Sequence, residues 1–224
     1  TYDLKGNFEF NKIFAVSKDY LVKGSINSAI DEFHYLNQED FSVKGKINSD
    51  LLKITLKDKQ RFEGKINLTI DQGRWKKNIG SIQGQLFLKE LALELSPQEK
   101  LNGDLELTNL KLTKDSLQTN CQADLSARDL TVNLLDKFIK GNITAKHLNV
   151  NLAQNGDIKL SSALNLENTT IKLDKTNASG QINFDQIDAF LQNQEQMLSL
   201  KTKGQANNLN VDIGNQSTTT KHAV

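Results

Sequence analysis

One short pattern limits what this chain can fold into more than any other feature of its sequence. A small residue stands between large apolar residues that occupy every second position around it. The small residues of successive copies are Gly6, Gly24, Gly45, Gly64, Gly84, Gly103, Ala123, Gly141, Ser162, Gly180 and Gly204. From Gly6 to Gly141 the steps between them are 18, 21, 19, 20, 19, 20 and 18 residues. A fixed period of this size indicates a repeating architecture, so we expect function to lie on a long repeated surface.

Strict alternation identifies each copy as a half-buried β-strand. In one copy Phe41, Val43 and Ile47 point to one side, and the intervening Ser42, lysines and Asn48 point to the other. The same alternation is present over residues 62–70. The sequence therefore predicts an all-β chain whose strands have one apolar and one solvated face. Because the repeat is continuous, we expect a single repetitive β domain over residues 1–214.

In the copies at Gly84, Gly103, Ala123 and Gly141, a second apolar block follows the small residue at a near-constant offset of seven, nine and eleven positions. Leu91, Leu93 and Leu95 follow Gly84 in this way. Between the two blocks the spacing is three instead of two, so the side-chain parity is inverted. The dipeptide at the inversion, Lys89-Glu90 in this copy, lacks the Asn-Gly or Asp-Gly of a two-residue hairpin. We therefore expect a bulged or bent strand here.

The small residue itself lies on the apolar face, where a glycine lowers strand propensity. Several explanations are open at this stage. The glycine can permit tight coiling or bending of a curved sheet, close approach of an opposing wall, or contact between the backbone and a ligand chain.

Composition excludes several classes of function. The 28 basic and 27 acidic residues leave a net charge of +1, which provides no basic surface for nucleic acid. Arg61, Arg74 and Arg128 are the only arginines, and lysine lacks the planar fork that binds phosphate through two hydrogen bonds. Cys121 is the only cysteine, so no internal disulfide forms; it occupies an apolar slot of the repeat and is expected to be a small core residue.

No catalytic constellation is present in the sequence. His34, His147 and His222 are far apart and lack neighbours at metal-ligand spacing. Carboxylates such as Glu63 alternate with the apolar residues and are expected to be solvated strand charges. We interpret Trp75 as an anchor at a strand end or in a loop. We expect neither enzymatic activity nor a cofactor or metal.

Three segments depart from the repeat. Residues 28–38 and 185–198 contain apolar spacings that fit a short helix or an irregular excursion. Residues 215–224 are polar, and we expect a disordered tail there.

The combination Gly-x-Leu-x-Leu, two polar residues and Leu-x-Leu, found in GQLFLKELALEL (84–95) and GDLELTNLKL (103–112), resembles the AsmA-like family that includes TamB. The stretch GQINFDQIDAFL (180–191) is similar to the family's strand followed by an aspartate-led turn. The resemblance implies a long curved, mainly antiparallel sheet that forms an apolar groove. It also implies a periplasmic protein of the Gram-negative envelope that shields or conducts phospholipid acyl chains between the inner and outer membranes.

Members of that family usually carry an amino-terminal membrane helix, and this chain has no run of eighteen apolar residues. We therefore expect a segment of a longer protein, whose contacts with the two membranes are made by parts outside this chain. The residues expected to line the groove and bind lipid are Val43, Ile47, Phe62, Ile66, Leu68, Ile82, Leu86, Leu88, Leu101, Leu105, Leu107, Leu125, Ile143, Leu164 and Ile182.

Two other architectures account for the same pattern. A parallel β-solenoid with a structural or adhesive role also uses rungs of about twenty residues. A closed barrel that binds a small ligand is the third possibility. In either of these, the fifteen apolar residues fill a closed core, and the sequence leaves that choice open.

Overall fold

The computed structural model describes residues 2–17, 19–37, 40–56, 60–193, 197–213 and 216–223. Nearly all of them lie in β-strands. The strands are β1 (Tyr2–Val16), β2 (Tyr20–Asn37), β3 (Asp40–Ser49), β4 (Leu52–Leu56), β5 (Arg61–Lys76), β6 (Ile79–Ser96), β7 (Glu99–Lys114), β8 (Gln118–Leu134), β9 (Lys137–Ala153), β10 (Ile158–Leu173), β11 (Thr176–Gln192), β12 (Met197–Ile213) and β13 (Gln216–Ala223).

All thirteen strands belong to one antiparallel sheet in which the chain runs up and down from one neighbour to the next. β3 and β4 act as one strand that is interrupted at residues 50–51, because both lie between β2 and β5. One strand and one short turn therefore account for the period of about twenty residues. The predicted all-β, antiparallel repeat is confirmed, and the parallel solenoid is wrong because each strand reverses the direction of the one before it.

The sheet is a single layer. In the described part of the chain, each strand packs on its hydrogen-bonded neighbours, and β1 and β13 do not pair with each other. The accessible surface is 15013 Å² for a chain of 25.1 kDa, whereas a compact monomer of that mass exposes about 10,000 Å². The closed barrel is therefore also wrong.

A bulge interrupts each long strand at the predicted parity inversion. Glu90, Asn109, Asp129 and His147 have φ between 50° and 53°, in the left-handed region. Each lies six residues after the small residue of its own strand, and the register with neighbouring strands shifts there, as between Leu88 and Leu91. The prediction of a bulged strand is confirmed. Each bulge restores the parity and brings the second apolar block to the same face as the first.

The bulges and the small residues form two rows across the sheet. Because neighbours are antiparallel, a bulge six residues after the small residue of one strand lies beside the small residue of the next. The first row contains Gly6, Gly45, Gly84, Ala123, Ser162 and Gly204, with bulges of β2, β5, β7, β9 and β11 between them. The second row contains Gly24, Gly64, Gly103, Gly141 and Gly180, with bulges of β1, β6, β8, β10 and β12 and the break between β3 and β4.

Two expectations about the irregular segments are wrong. Residues 28–37 belong to β2, and residues 185–192 belong to β11. Bulges at 30–32 and 184–186 change the apolar spacing from two residues to three. A spacing of three is also typical of a helix, which is why the sequence pattern was ambiguous. The polar tail also differs from the expected disordered segment. Gln216–Ala223 pairs with β12 as the last strand, which satisfies backbone groups that β12 would otherwise expose.

Candidate functional site

The candidate site is the apolar face of the sheet, which the strand register makes continuous. Residues that stand directly opposite each other on neighbouring strands point to the same face. One such line crosses the sheet from β5 to β12 through Ile66, Leu88, Leu105, Ala127, Ile143, Leu166, Ile182 and Ala206. A parallel line runs through Leu68, Leu86, Leu107, Leu125, Ala145, Leu164 and Phe184.

All fifteen residues that were predicted to line a groove lie on this face. The register joins those outside the two lines to the same surface: Val43 faces Gly73, which faces Ile82. Ile47 faces Leu68, and Phe62 and Leu101 both face Leu93. The structure therefore brings the predicted residues together as one surface.

This face is open instead of being the interior of a core. Fourteen of the fifteen residues are half-buried, and Ile47 is 36% exposed. The buried apolar side chains of the described residues are those of Leu52, Leu91, Ala123, Ala127, Leu130, Ala145 and Leu166. These positions lie at or near the two rows of bulges, where neighbouring backbones approach closely. An open apolar face of this extent is unusual for a monomer and indicates a binding surface.

Part of this face was not predicted from the sequence. The second apolar blocks also contribute to it: Leu93 faces Leu101, which faces Val132 on the next strand. The constant offset of seven, nine and eleven residues was the signal, but alternation alone assigns those blocks to the opposite face. Only the geometry of the bulge resolves this.

The small residues of the repeat accommodate neighbouring backbone. A Cβ added at Gly103 would lie 2.9 Å from the carbonyl oxygen of Arg128 and 2.9 Å from the Cα of Leu130, both at the bulge of β8. At Gly141 it would lie 2.8 Å from the Cα of Thr169, at the bulge of β10. These glycines make room for the bulge of the neighbouring hydrogen-bonded strand, a cause that the explanations left open by the sequence did not include.

The polar side chain after the small residue binds the bulge, a role that the alternation of the sequence does not reveal. The backbone N–H of Glu90 donates to Oδ1 of Asp104 at 2.8 Å, and that of Asp129 donates to Oδ1 of Asn142 at 2.9 Å. Asp124 accepts from the backbone N–H of His147 at 2.9 Å. This bond is the main cause that lowers the pKa of Asp124 below its ordinary value of 3.8. His147 is thus the residue at the bulge, and the carboxylate of Asp124 holds its backbone in place.

The opposite face is polar and carries ion pairs between neighbouring strands. Lys53 lies 2.7 Å from Glu63, and Lys65 pairs with Glu90. Glu106 lies 3.4 Å from Arg128. These exposed pairs contribute little to stability individually, and the carboxylates alternate with bases instead of pairing with one another. Glu63 is a strand charge, as the alternation predicts.

Two other residues singled out in the sequence occupy structural positions. Trp75 lies at the end of β5, where its ring stacks on Phe41 with centroids 6.5 Å apart and an angle of 12°; its ring also covers Gly80. The anchor interpretation of Trp75 is therefore confirmed.

Cys121 is half-buried on the apolar face, and burial raises the pKa of its thiol. The side chain of His222 lies outside the part of the chain that the structure describes.

In comparisons with protein families, with curated proteins and with solved structures, nothing matches this chain. Among the described residues, no helix is long and apolar enough to cross a membrane.

Proposed function

We propose that this chain is a lipid-binding segment of an AsmA-like envelope protein, and that its apolar face shields phospholipid acyl chains in transit between the inner and outer membranes. The observation that carries the proposal is the continuous open apolar face. The family and the periplasmic location rest on the sequence resemblance. The open face adds an independent physical reason, because an apolar surface in water requires a partner of matching chemistry.

The dimensions of the face suit acyl chains. From β1 to β12 a line across the sheet passes ten gaps between strands, which corresponds to about 48 Å at about 4.8 Å per gap. This is longer than the hydrocarbon core of a bilayer, about 30 Å. Each methylene that leaves water for this face contributes about 0.8 kcal/mol and needs no directional partner. Since the face offers few polar groups, it selects for apolar chains and not for a particular headgroup.

The test places a photo-crosslinking amino acid, p-benzoylphenylalanine, at Leu86 or Leu105 on the apolar face. The purified chain is mixed with phosphatidylethanolamine and phosphatidylglycerol and irradiated, and lipid adducts are measured by mass spectrometry. The matched control carries the crosslinker at Phe87, an aromatic residue adjacent to Leu86 that points to the polar face. We expect adducts at Leu86 and Leu105 and at least tenfold less at Phe87.

Equal labelling at Leu86 and Phe87 would contradict the proposal, because it would show that lipid contacts the sheet without preference for a face. The absence of adducts at all three positions, with no lipid co-purifying in native mass spectrometry, would also contradict it.

A further inference from the structure

Three charged side chains interrupt the apolar face in the described strands from β5 to β12, the bulges aside. They are Glu99, Lys114 and Lys137, and each is the first or last residue of its strand. Leu134 of β8 faces Glu99 of β7 on one side and Lys137 of β9 on the other. Residues that face each other across neighbouring strands share a side of the sheet. Glu99, Leu134 and Lys137 therefore form one group at the border of the apolar face, which we call the rim group.

The two charges of the rim group are not neutralised within the protein. Among the described residues, neither Glu99 nor Lys137 forms an ion pair. Charged side chains of the polar face do form such pairs, and Lys100 lies 3.3 Å from Glu94. Glu99 is half-buried and Lys137 is exposed. A carboxylate and an ammonium are thus available to a ligand at the border of an apolar surface.

The turns next to the rim group hold its two charges apart. β8 lies between Glu99 and Lys137, so their Cα atoms are about 9.6 Å apart, across two gaps between strands. The backbone N–H of Leu135 donates to the carbonyl oxygen of Gln98 at 3.1 Å, which joins the turn before β9 to the turn before β7. A small group that carries both charges can therefore lie over Leu134, between the two side chains.

Exposed aliphatic side chains continue the apolar face to this border. Leu134 is 48% exposed. Leu56, Leu95 and Leu173 occupy the corresponding place on their strands, at steps of 39 residues along the chain, and are 45–47% exposed. A step of 39 residues is two strands of the repeat. A chain that lies on the face can thus reach this border without leaving apolar surface.

We propose that the rim group binds the headgroup of a zwitterionic phospholipid whose acyl chains lie on the apolar face. The ammonium of Lys137 donates to the phosphate, as lysine does in many phosphate sites. The carboxylate of Glu99 accepts from the ammonium of an ethanolamine group. This inference rests on the proposed function and deepens it: the face selects for apolar chains, and the rim group at its border selects the headgroup.

The width of the face next to the rim group fits one acyl chain. A chain that runs from Leu134 along β8 reaches the second row of bulges at Leu130 after four residues, or about 13 Å. Half of the hydrocarbon core of a bilayer, which one acyl chain spans, is about 15 Å. The chain would cover Val132 and the residues that face it, Leu101 and Ile139.

Charge complementarity distinguishes between two common headgroups. Phosphatidylethanolamine carries a phosphate and an ammonium, which match Lys137 and Glu99. Phosphatidylglycerol carries the phosphate alone, so its binding leaves the carboxylate of Glu99 without a cation and close to a second negative charge. We therefore expect the rim group to favour phosphatidylethanolamine.

The test places p-benzoylphenylalanine at Val132, two residues from Leu134 on the same face. The chain is irradiated with equal amounts of phosphatidylethanolamine and phosphatidylglycerol that have identical acyl chains, and the two adducts are measured by mass spectrometry. We expect about threefold more of the phosphatidylethanolamine adduct, the effect of one exposed ion pair. Glu99→Gln should bring the ratio of the adducts close to one, and Lys137→Gln should lower both adducts by about threefold.

Lys114→Gln is the matched control. Lys114 is an exposed lysine on the same face at the opposite end of β7, where it faces Gly80 and Thr119 and has no carboxylate beside it. We expect this substitution to change neither the ratio nor the yield of the adducts at Val132. A loss of yield equal to that of Lys137→Gln would overturn the inference, because it would show a general effect of positive charge.

A crosslinker at Leu86, far from the rim group, separates this inference from the proposed function. Adducts at Leu86 without adducts at Val132 would overturn the inference and leave the proposed function standing. The same holds for adducts at both positions whose ratio Glu99→Gln does not change. The absence of adducts at both positions would contradict the proposed function, and the inference with it.

Discussion

At the scale of single residues, backbone contact determines where a side chain is tolerated. Gly141 has φ of 151°, and a Cβ there would lie 2.7 Å from Oγ1 and 2.8 Å from the Cα of Thr169, which is 2% exposed. We expect Gly141→Ala to lower the free energy of unfolding by about 1–3 kcal/mol through strain and overpacking. Ser162→Ala is the control in the same slot of β10: it removes only a hydroxyl, which donates to the carbonyl oxygen of Ala163 or Lys146, and we expect a smaller loss of about 0.5 kcal/mol. Urea denaturation measures both, and equal effects would contradict the assignment.

Asp124 joins three strands through its carboxylate. It accepts from the backbone N–H of His147 on β9 and, at 2.7 Å, from the side-chain amide of Asn109 on β7. Because these bonds lower its pKa in the folded state, its contribution to stability is present above its ordinary value of 3.8 and is lost as the pH falls below it.

We therefore expect Asp124→Ala to lower the free energy of unfolding at pH 7 by about 1 kcal/mol, a value at the low end for bonds to a charged acceptor because the site is close to solvent. The difference from the unmodified chain should shrink as the pH approaches 2. Asp124→Asn is the control, since it retains a neutral acceptor and its effect should vary little with pH. Urea titrations from pH 7 to pH 2 measure this, and a constant Asp124→Ala effect would refute the role of the carboxylate.

At the scale of the strand, alternation and spacing contain most of the fold. The apolar alternation around Gly45 and Gly84 is enough to predict half-buried strands, and the absence of hairpin dipeptides at Lys89-Glu90 predicts a bulge instead of a turn. The face of the second block is not predictable from parity, because the left-handed conformation of Glu90 reverses it. Residues 28–37 and 185–192 are ambiguous for the same reason, since a bulge in a strand produces a spacing of three that a helix also produces.

The residues of the candidate site were predictable where the alternation of side chains alone decides which face of the sheet a residue occupies. The fifteen lining residues come from first blocks, where alternation is unbroken, and they share one face. Their open exposure was not predictable, because a core and an open face have the same apolar pattern in sequence. The reason for the glycines was not predictable either, since it lies in contacts such as that of Gly103 with Arg128, twenty-five residues away in sequence.

At the scale of the whole molecule, each strand of the described part packs on its hydrogen-bonded neighbours. The bulge of β6 covers Gly64 of β5, and the bulge of β5 covers Gly84 of β6. We call two strands that cover each other's small residues a capping pair; the contacts of Gly103 and Gly141 extend the pairing to β7 with β8 and β9 with β10. Such a pair is a unit that can be removed. Deleting residues 97–134 removes β7 and β8 and joins β6 to β9 through the turn at residues 135–136. The new neighbours keep the phase of the pairs, because β9 begins a pair as β7 does. Asn142 occupies on β9 the place of Asp104 on β7, so it can accept the N–H of Glu90.

Deleting residues 99–117 is the matched control, because it removes β7 alone and leaves the turn at residues 97–98. It places β8, the second member of a pair, next to β6. The deletion also removes Gly103, the small residue that the bulge at Asp129 covers. In repeat proteins stability is roughly a sum of units and their nearest-neighbour interfaces. We therefore expect the two-strand deletion to unfold cooperatively in urea with a lower m-value, and the one-strand deletion to be less stable although it retains more of the chain. Equal stability of the two deletions would show that single strands, and not capping pairs, are the units of this sheet.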